Sequence, residues 1–100
     1  MELDRIKSAV AVYIDVAVPS LWSLSLELHR HPELAFQEKR ASAAVARFLE
    51  ERGFSVEMGV ADLPTAFRAN RPAKGTGKPV VSFMAEYDAL PGLGHACGHN

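Results

Sequence analysis

Three side chains able to bind a metal fall within five positions, His95, Cys97 and His99, in the run Gly94-His95-Ala96-Cys97-Gly98-His99-Asn100. Imidazole and thiolate are ligands that borderline cations such as Zn²⁺ prefer. Just upstream, Glu86-Tyr87-Asp88-Ala89-Leu90-Pro91 places two carboxylates two residues apart. A protein-held metal takes three or four ligands, and this stretch offers two or three good ones. A lone cysteine is more often a small buried residue than a ligand. With His99 two positions on and Gly98 between them, metal binding is the better reading of Cys97, because the glycine lets the backbone bend both side chains toward one ion. His95 and His99 would share a face if this stretch were helical, as in paired-histidine zinc motifs. Glu86 and Asp88 can be read as a solvated loop or as part of the site.

The elements that would carry these residues follow from hydrophobic periodicity. Leu3, Ile6, Val10, Tyr13 and Ile14 have helical spacing over residues 3–16. Pro19 is expected to end or interrupt that segment. Ser20 would then cap a second helix over 20–30, with Leu21, Leu24 and Leu28 on one face. His31-Pro32 marks a break, since the residue before proline avoids the helical region. His29 and His31 read as basic side chains meeting the exposed carbonyls of that helix end. A third, alanine-rich helix spans 38–52 with Ala41, Val45, Phe48 and Leu49 on one stripe, and Gly53 ends it. The period then switches to that of strands, over 54–58, 65–70 and 79–85. Pro72 to Pro79, with Gly75 and Gly77, reads as the turn between the last two. It lacks the Gly-Lys-Ser/Thr ending of a phosphate loop. Val80-Val81-Ser82-Phe83-Met84-Ala85 is nearly all apolar, as in a central strand buried on both faces. The order of elements predicts an α/β fold. In open α/β sheets ligands bind beyond the carboxyl ends of the strands, which is where Glu86 and Asp88 would emerge.

Composition narrows the function. Of 100 residues, 48% are hydrophobic and 23% charged, with a net charge of −1, so one ordinary globular domain is expected and a nucleic-acid partner is not. Cys97 is the single cysteine, which excludes an internal disulfide and suits a reducing, cytoplasmic setting. The alternating charges of residues 1–7 do not resemble an export signal. The apolar stretch 9–18, broken by Asp15, is expected to be too short to span a membrane, which takes roughly 20 residues.

Together, Ala85-Glu86-Tyr87-Asp88-Ala89-Leu90-Pro91 and His95-Ala96-Cys97-Gly98-His99-Asn100 resemble motifs of the metal-dependent amidohydrolases of the aminoacylase and carboxypeptidase G clan, which includes the hippurate and indole-acetyl-amino-acid hydrolases. Leu28-His29-Arg30-His31-Pro32-Glu33-Leu34, with Phe36 and Glu38 after it, matches a second phrase of that family. The Glu-Tyr-Asp variant and Asn100 look most like the branch of p-aminobenzoyl-glutamate hydrolase and the Xaa-Arg dipeptidases. The resemblance implies a three-layer α/β/α catalytic domain of which residues 1–100 are the N-terminal portion, in a longer and homodimeric enzyme. It implies two divalent metal ions, with Zn²⁺ favoured by the thiolate and Mn²⁺ or Co²⁺ as alternatives. Cys97 and His99 would be ligands, Asp88 a supporting residue, and His95 and Glu86 residues around the ligands. The glutamate general base and the remaining ligands would lie beyond Asn100, leaving these 100 residues inactive alone. The substrate would be a small amide or dipeptide. Two other functional classes fit the residues: a non-catalytic metal-binding remnant, and a redox sensor using the Cys97 thiol.

Overall fold

The computed structural model describes residues 1–72, 75, 77 and 79–100. The expected turn over 72–79 therefore lies partly outside the described residues. The chain forms α1 (Glu2–Arg30), α2 (Lys39–Glu50), β1 (Ser55–Met58), a short 3-10 turn (Val60–Asp62) and β2 (Phe67–Asn70). β1 and β2 pair antiparallel, with Ser55 opposite Asn70 and Met58 opposite Phe67. Two helices and a two-stranded sheet agree with the expected α/β class.

The two helices expected over 3–16 and 20–30 are one, running through Pro19. Proline's fixed φ is itself helical, so the chain continues at the loss of one hydrogen bond and some steric strain, roughly 3 kcal/mol. Glu2 and Asp4 in the first turn, with His29 and Arg30 in the last, complement the helix dipole. The C-terminal end is closed as expected of a basic side chain at exposed carbonyls: His31 N–H donates to the Leu28 carbonyl at 3.2 Å, and His31 Nδ1 lies 3.1 Å from the Glu27 carbonyl. One continuous helix also changes the membrane expectation. By length and composition α1 suffices to cross a bilayer, and none of its apolar window is buried.

α2 begins one residue later than expected and ends two earlier. Its buried residues are Ala41, Ser42 and Ala46, small enough to let the helix sit close on the hairpin and on α1. Gly53 takes the left-handed φ of 88° that turns the chain out of the helix. Phe54 N–H then reaches back to the Leu49 carbonyl at 3.1 Å.

The strand expected over 79–85 does not form. These residues join no ladder among the described residues, and Val80, Phe83 and Met84 are 91%, 93% and 95% exposed. Apolarity specifies a buried strand only when neighbouring strands satisfy its backbone, and the β1–β2 hairpin does not pair with it. The next residues are held instead by isolated bridges, Leu34 to Ala89 (parallel) and Leu90 to Gly94 (antiparallel).

The start of α2 is capped from outside the helix. Glu33 Oε1 accepts from Ala41 N–H at 2.7 Å and Oε2 from Arg40 N–H at 3.0 Å, placing a carboxylate on the positive end of the helix dipole. Arg40 also donates to Glu27 on α1, with Nη2 at 2.5 Å from Oε1. That hydrogen bond, with the positive charge behind it, holds the Glu27 carboxyl below its ordinary range. Glu33→Ala should lower the unfolding free energy by about 1–2 kcal/mol, the worth of a cap with charge-assisted bonds, measured by urea denaturation.

Candidate metal centre

Two neighbouring attachments position the loop that bears the carboxylates. Ala89 N–H donates to the Glu33 carbonyl at 2.7 Å, joining the 28–34 phrase directly to the 85–91 phrase. Beside it, the buried Glu38 carboxylate accepts from Phe36 N–H at 2.9 Å and from the Thr65 hydroxyl at 2.5 Å. The Tyr87 hydroxyl donates to the Thr65 carbonyl at 2.6 Å, and its ring stacks on Phe67. Tyr87 is thereby pinned to the hairpin between Glu86 and Asp88. Phe36 has a φ of 67°, a conformation that costs a residue bearing a Cβ roughly 1–2 kcal/mol. The Glu38 bond to its N–H holds it there.

Cys97 and His99 meet as the motif predicts. Gly98 adopts a φ of 79°, which bends the chain so that Cys97 Sγ lies 3.6 Å from His99 Nδ1. For a tetrahedral ion with Zn–S of about 2.3 Å and Zn–N of about 2.05 Å, the sulfur–nitrogen edge is about 3.6 Å. The pair therefore fits two corners of a zinc site. Glu86 Oε2 also lies 3.6 Å from His99 Nδ1. Among the described residues no three His, Cys, Asp or Glu side chains are gathered as a complete metal site.

The other candidate residues are placed around this pair. His95 is only 8% exposed, its Nδ1 has no hydrogen-bond partner, and its ring centre is 6.5 Å from that of His29. It is buried near His29 at the end of α1. Asp88 is half-buried and lines a groove of about 190 Å³ with Phe36, Glu38 and Thr65. A second groove of about 430 Å³, almost wholly apolar, runs between α1 and the loop. Leu21, Trp22, Leu28 and Val45 line it, and Glu86 and His99 stand at its edge. Asn100 closes the motif onto α1, its Nδ2 donating to the Ser25 carbonyl at 3.0 Å and hydroxyl at 3.3 Å.

Sequence reasoning missed Thr65 and Tyr87 as positioning residues. Thr65 lies 27 positions from Glu38 and 22 from Tyr87, and no periodicity connects such distances. A tyrosine between two carboxylates is the one signal the sequence offers.

No protein-family model matches the sequence. Individual proteins do. The chain is 43% identical to the Xaa-Arg dipeptidase of Mus musculus over 99% of its own length and 25% of the relative's. It is 35% identical to a component of the p-aminobenzoyl-glutamate hydrolase of Escherichia coli over 97% of its length and 21% of the relative's. It is 34% identical to the N-acetylcysteine deacetylase of Bacillus subtilis over 80% of its length and 24% of the relative's. The chain thus spans about a quarter of the length of the curated relatives it matches.

Burial, and after it the charge of Glu38, push the Tyr87 phenol above its ordinary value of 10.0. A raised phenol favours the protonated, folded form, so its contribution is complete below the unfolded value and is lost as pH rises through the folded one. Stability should therefore fall above about pH 10 in the wild type. In Tyr87→Phe that alkaline loss should shrink, as read by urea midpoints across pH. His95→Leu should leave stability within about 1 kcal/mol, because it removes a buried polar atom that has no partner to orphan; thermal denaturation checks this.

Proposed function

Because the chain belongs to the amidohydrolase and peptidase family of these relatives, we propose that it is part of a metal-dependent hydrolase cleaving an amide bond to an amino acid. The names of the relatives support that substrate class: a dipeptide ending in arginine, p-aminobenzoyl-glutamate and N-acetylcysteine all contain such an amide. The observation that carries the reading is the Cys97–His99 pair, 3.6 Å apart across Gly98.

In this proposal Cys97 and His99 hold one side of a site for two divalent ions, Zn²⁺ before Mn²⁺ or Co²⁺ given a thiolate donor. Bound metal would lower the pKa of water and polarise the amide carbonyl. The chain's own residues prepare the place where this happens. Tyr87 and Glu38 fix the carboxylate loop, Asp88 supports the site from the smaller groove, and His95 is buried near the end of α1. The apolar groove beside His99 would receive an uncharged part of the substrate and keep water from it. The general base and the other ligands would come from residues outside these 100. The segment 79–85 would take a central place in the three-layer domain of the whole enzyme, paired on both edges. A homodimer in the cytoplasm completes the proposal, the latter in keeping with a single cysteine kept reduced.

The same 3.6 Å contact would serve a thiol–imidazole redox pair, and one experiment separates the two. The full-length protein carrying this stretch should hydrolyse N-acyl amino acids and dipeptides, lose activity to a chelator and regain it with Zn²⁺. Cys97→Ala should reduce hydrolysis by more than about 100-fold, because a ligand matters at least as much as its outer-shell partners. Undiminished hydrolysis in Cys97→Ala would exclude the metal reading.

A further inference from the structure

The groove between α1 and the carboxylate loop is apolar along its wall and polar at one end. Leu21, Trp22, Leu24, Leu28 and Val45 line it, and Glu86 and His99 stand at its edge. Its volume of about 430 Å³ lies in the range of roughly 300–1,000 Å³ found for small-molecule sites. Its amide and hydroxyl groups are bonded to each other, Asn100 Nδ2 to Ser25 Oγ at 3.3 Å. The Tyr87 hydroxyl is turned to the Thr65 carbonyl. We propose that this groove is the acyl subsite of the hydrolase, taking an aromatic or long aliphatic acyl group, and that Trp22 sets that preference. The inference rests on the reading of the chain as part of an amide hydrolase, and goes beyond it in naming which half of the substrate the groove holds.

Charge decides which half. An amide to an amino acid joins an acyl group to a residue that keeps its own carboxylate. That carboxylate is costly to move into an apolar groove unless it is paired there. Among the described residues that line the groove none is Lys or Arg, and Glu86 at the edge would repel a second carboxylate. The amino-acid half is therefore turned outward. The acyl half lies along the wall, with the scissile amide at the His99 end. Trp22 is 66% exposed, so its indole is open to a ligand. It stands about two turns before the buried Leu28, on the part of α1 that is anchored to the body. An aromatic ring packed on an indole gains more than its buried area alone, and an alkyl chain gains with each methylene it covers.

The test is hydrolysis by the full-length protein carrying this stretch. Acetyl, butyryl, hexanoyl and benzoyl groups are compared on each of several amino acids, acidic, basic and apolar, with circular dichroism to verify folding. In the wild type kcat/KM should rise about fourfold for each acyl methylene that enters the groove. Trp22→Ala should lower the benzoyl-to-acetyl ratio of kcat/KM at least about tenfold. The loss should fall mainly on KM, because the groove holds the acyl group alike before and during reaction. Trp22→Phe should keep most of the ratio. Val45→Phe narrows the groove from α2, and should lower hexanoyl and benzoyl hydrolysis relative to acetyl even if Trp22→Ala does not fold. An active wild type with a flat acyl series would overturn the subsite and leave the hydrolase standing. So would variants that lower every substrate by the same factor, since the groove would then be filled by another part of the protein. No hydrolysis of any substrate would remove the hydrolase reading and this inference with it.

Discussion

Glu33 holds three parts of the chain in one place. Its carboxylate closes the start of α2, and its carbonyl accepts the Ala89 N–H. It follows the α1 terminus by three residues, so both helices and the candidate loop meet at a single backbone position. Separate residues would need separate loop closures, each with its own entropic cost. The Tyr87 bond to the hairpin sets where Glu86 and Asp88 emerge, and the Leu90–Gly94 bridge turns the chain back toward Cys97 and His99.

Glu33 is visible in the sequence only as part of a phrase. The 28–34 and 85–91 stretches each match a family motif, but nothing in their composition says that they touch. The parallel bridge from Leu34 to Ala89 supplies that fact. What local chemistry dictates is legible: the span of α2, the left-handed glycine after it, the histidine at the end of α1, and the bend at Gly98 that brings Cys97 to His99; the expected stripe of α2 is only partly so, since Ala41, Ser42 and Ala46 are buried while Val45, Phe48 and Leu49 are half-buried. Two failures share a cause. The local rule for Pro19 predicts a broken helix, yet the flanking residues are helical enough to carry the chain through. The apolarity of residues 79–85 predicts a strand, yet a strand is a relation between segments, and hydropathy reports on one segment only. The Glu38–Thr65–Tyr87 chain is invisible for the same reason, being a set of long-range polar bonds with no period.

The core is small for the amount of apolar side chain present. Leu28, Ala41, Ala46 and Ala89 are its buried apolar residues among those described, while Val10, Tyr13, Trp22, Phe83 and Met84 remain open to solvent. Polar bonds therefore carry an unusual share of the organisation around the candidate site. Buried groups such as Glu38 and Thr65 are costly unless paired, and here they are paired with each other. The arrangement fixes geometry more than it adds stability, which is the property a site needs. The apolar face of α1 continues into the groove beside His99, where Leu21 and Trp22 form part of its wall.

The bond from Asn100 to Ser25 spans 75 residues. On a ribosome adding about 5–20 residues per second, Ser25 waits roughly 4–15 s for the partner that bonds it. The apolar face of α1 stays open to solvent through that interval and after it, and residues 79–85 join it in that state as they emerge. Contacts this distant in sequence also slow folding after release, since the chain must close a large loop before it gains anything from doing so. The nascent chain thus presents the features that chaperones recognise, and the order of synthesis makes the Cys97–His99 loop the last part of this stretch to find its place.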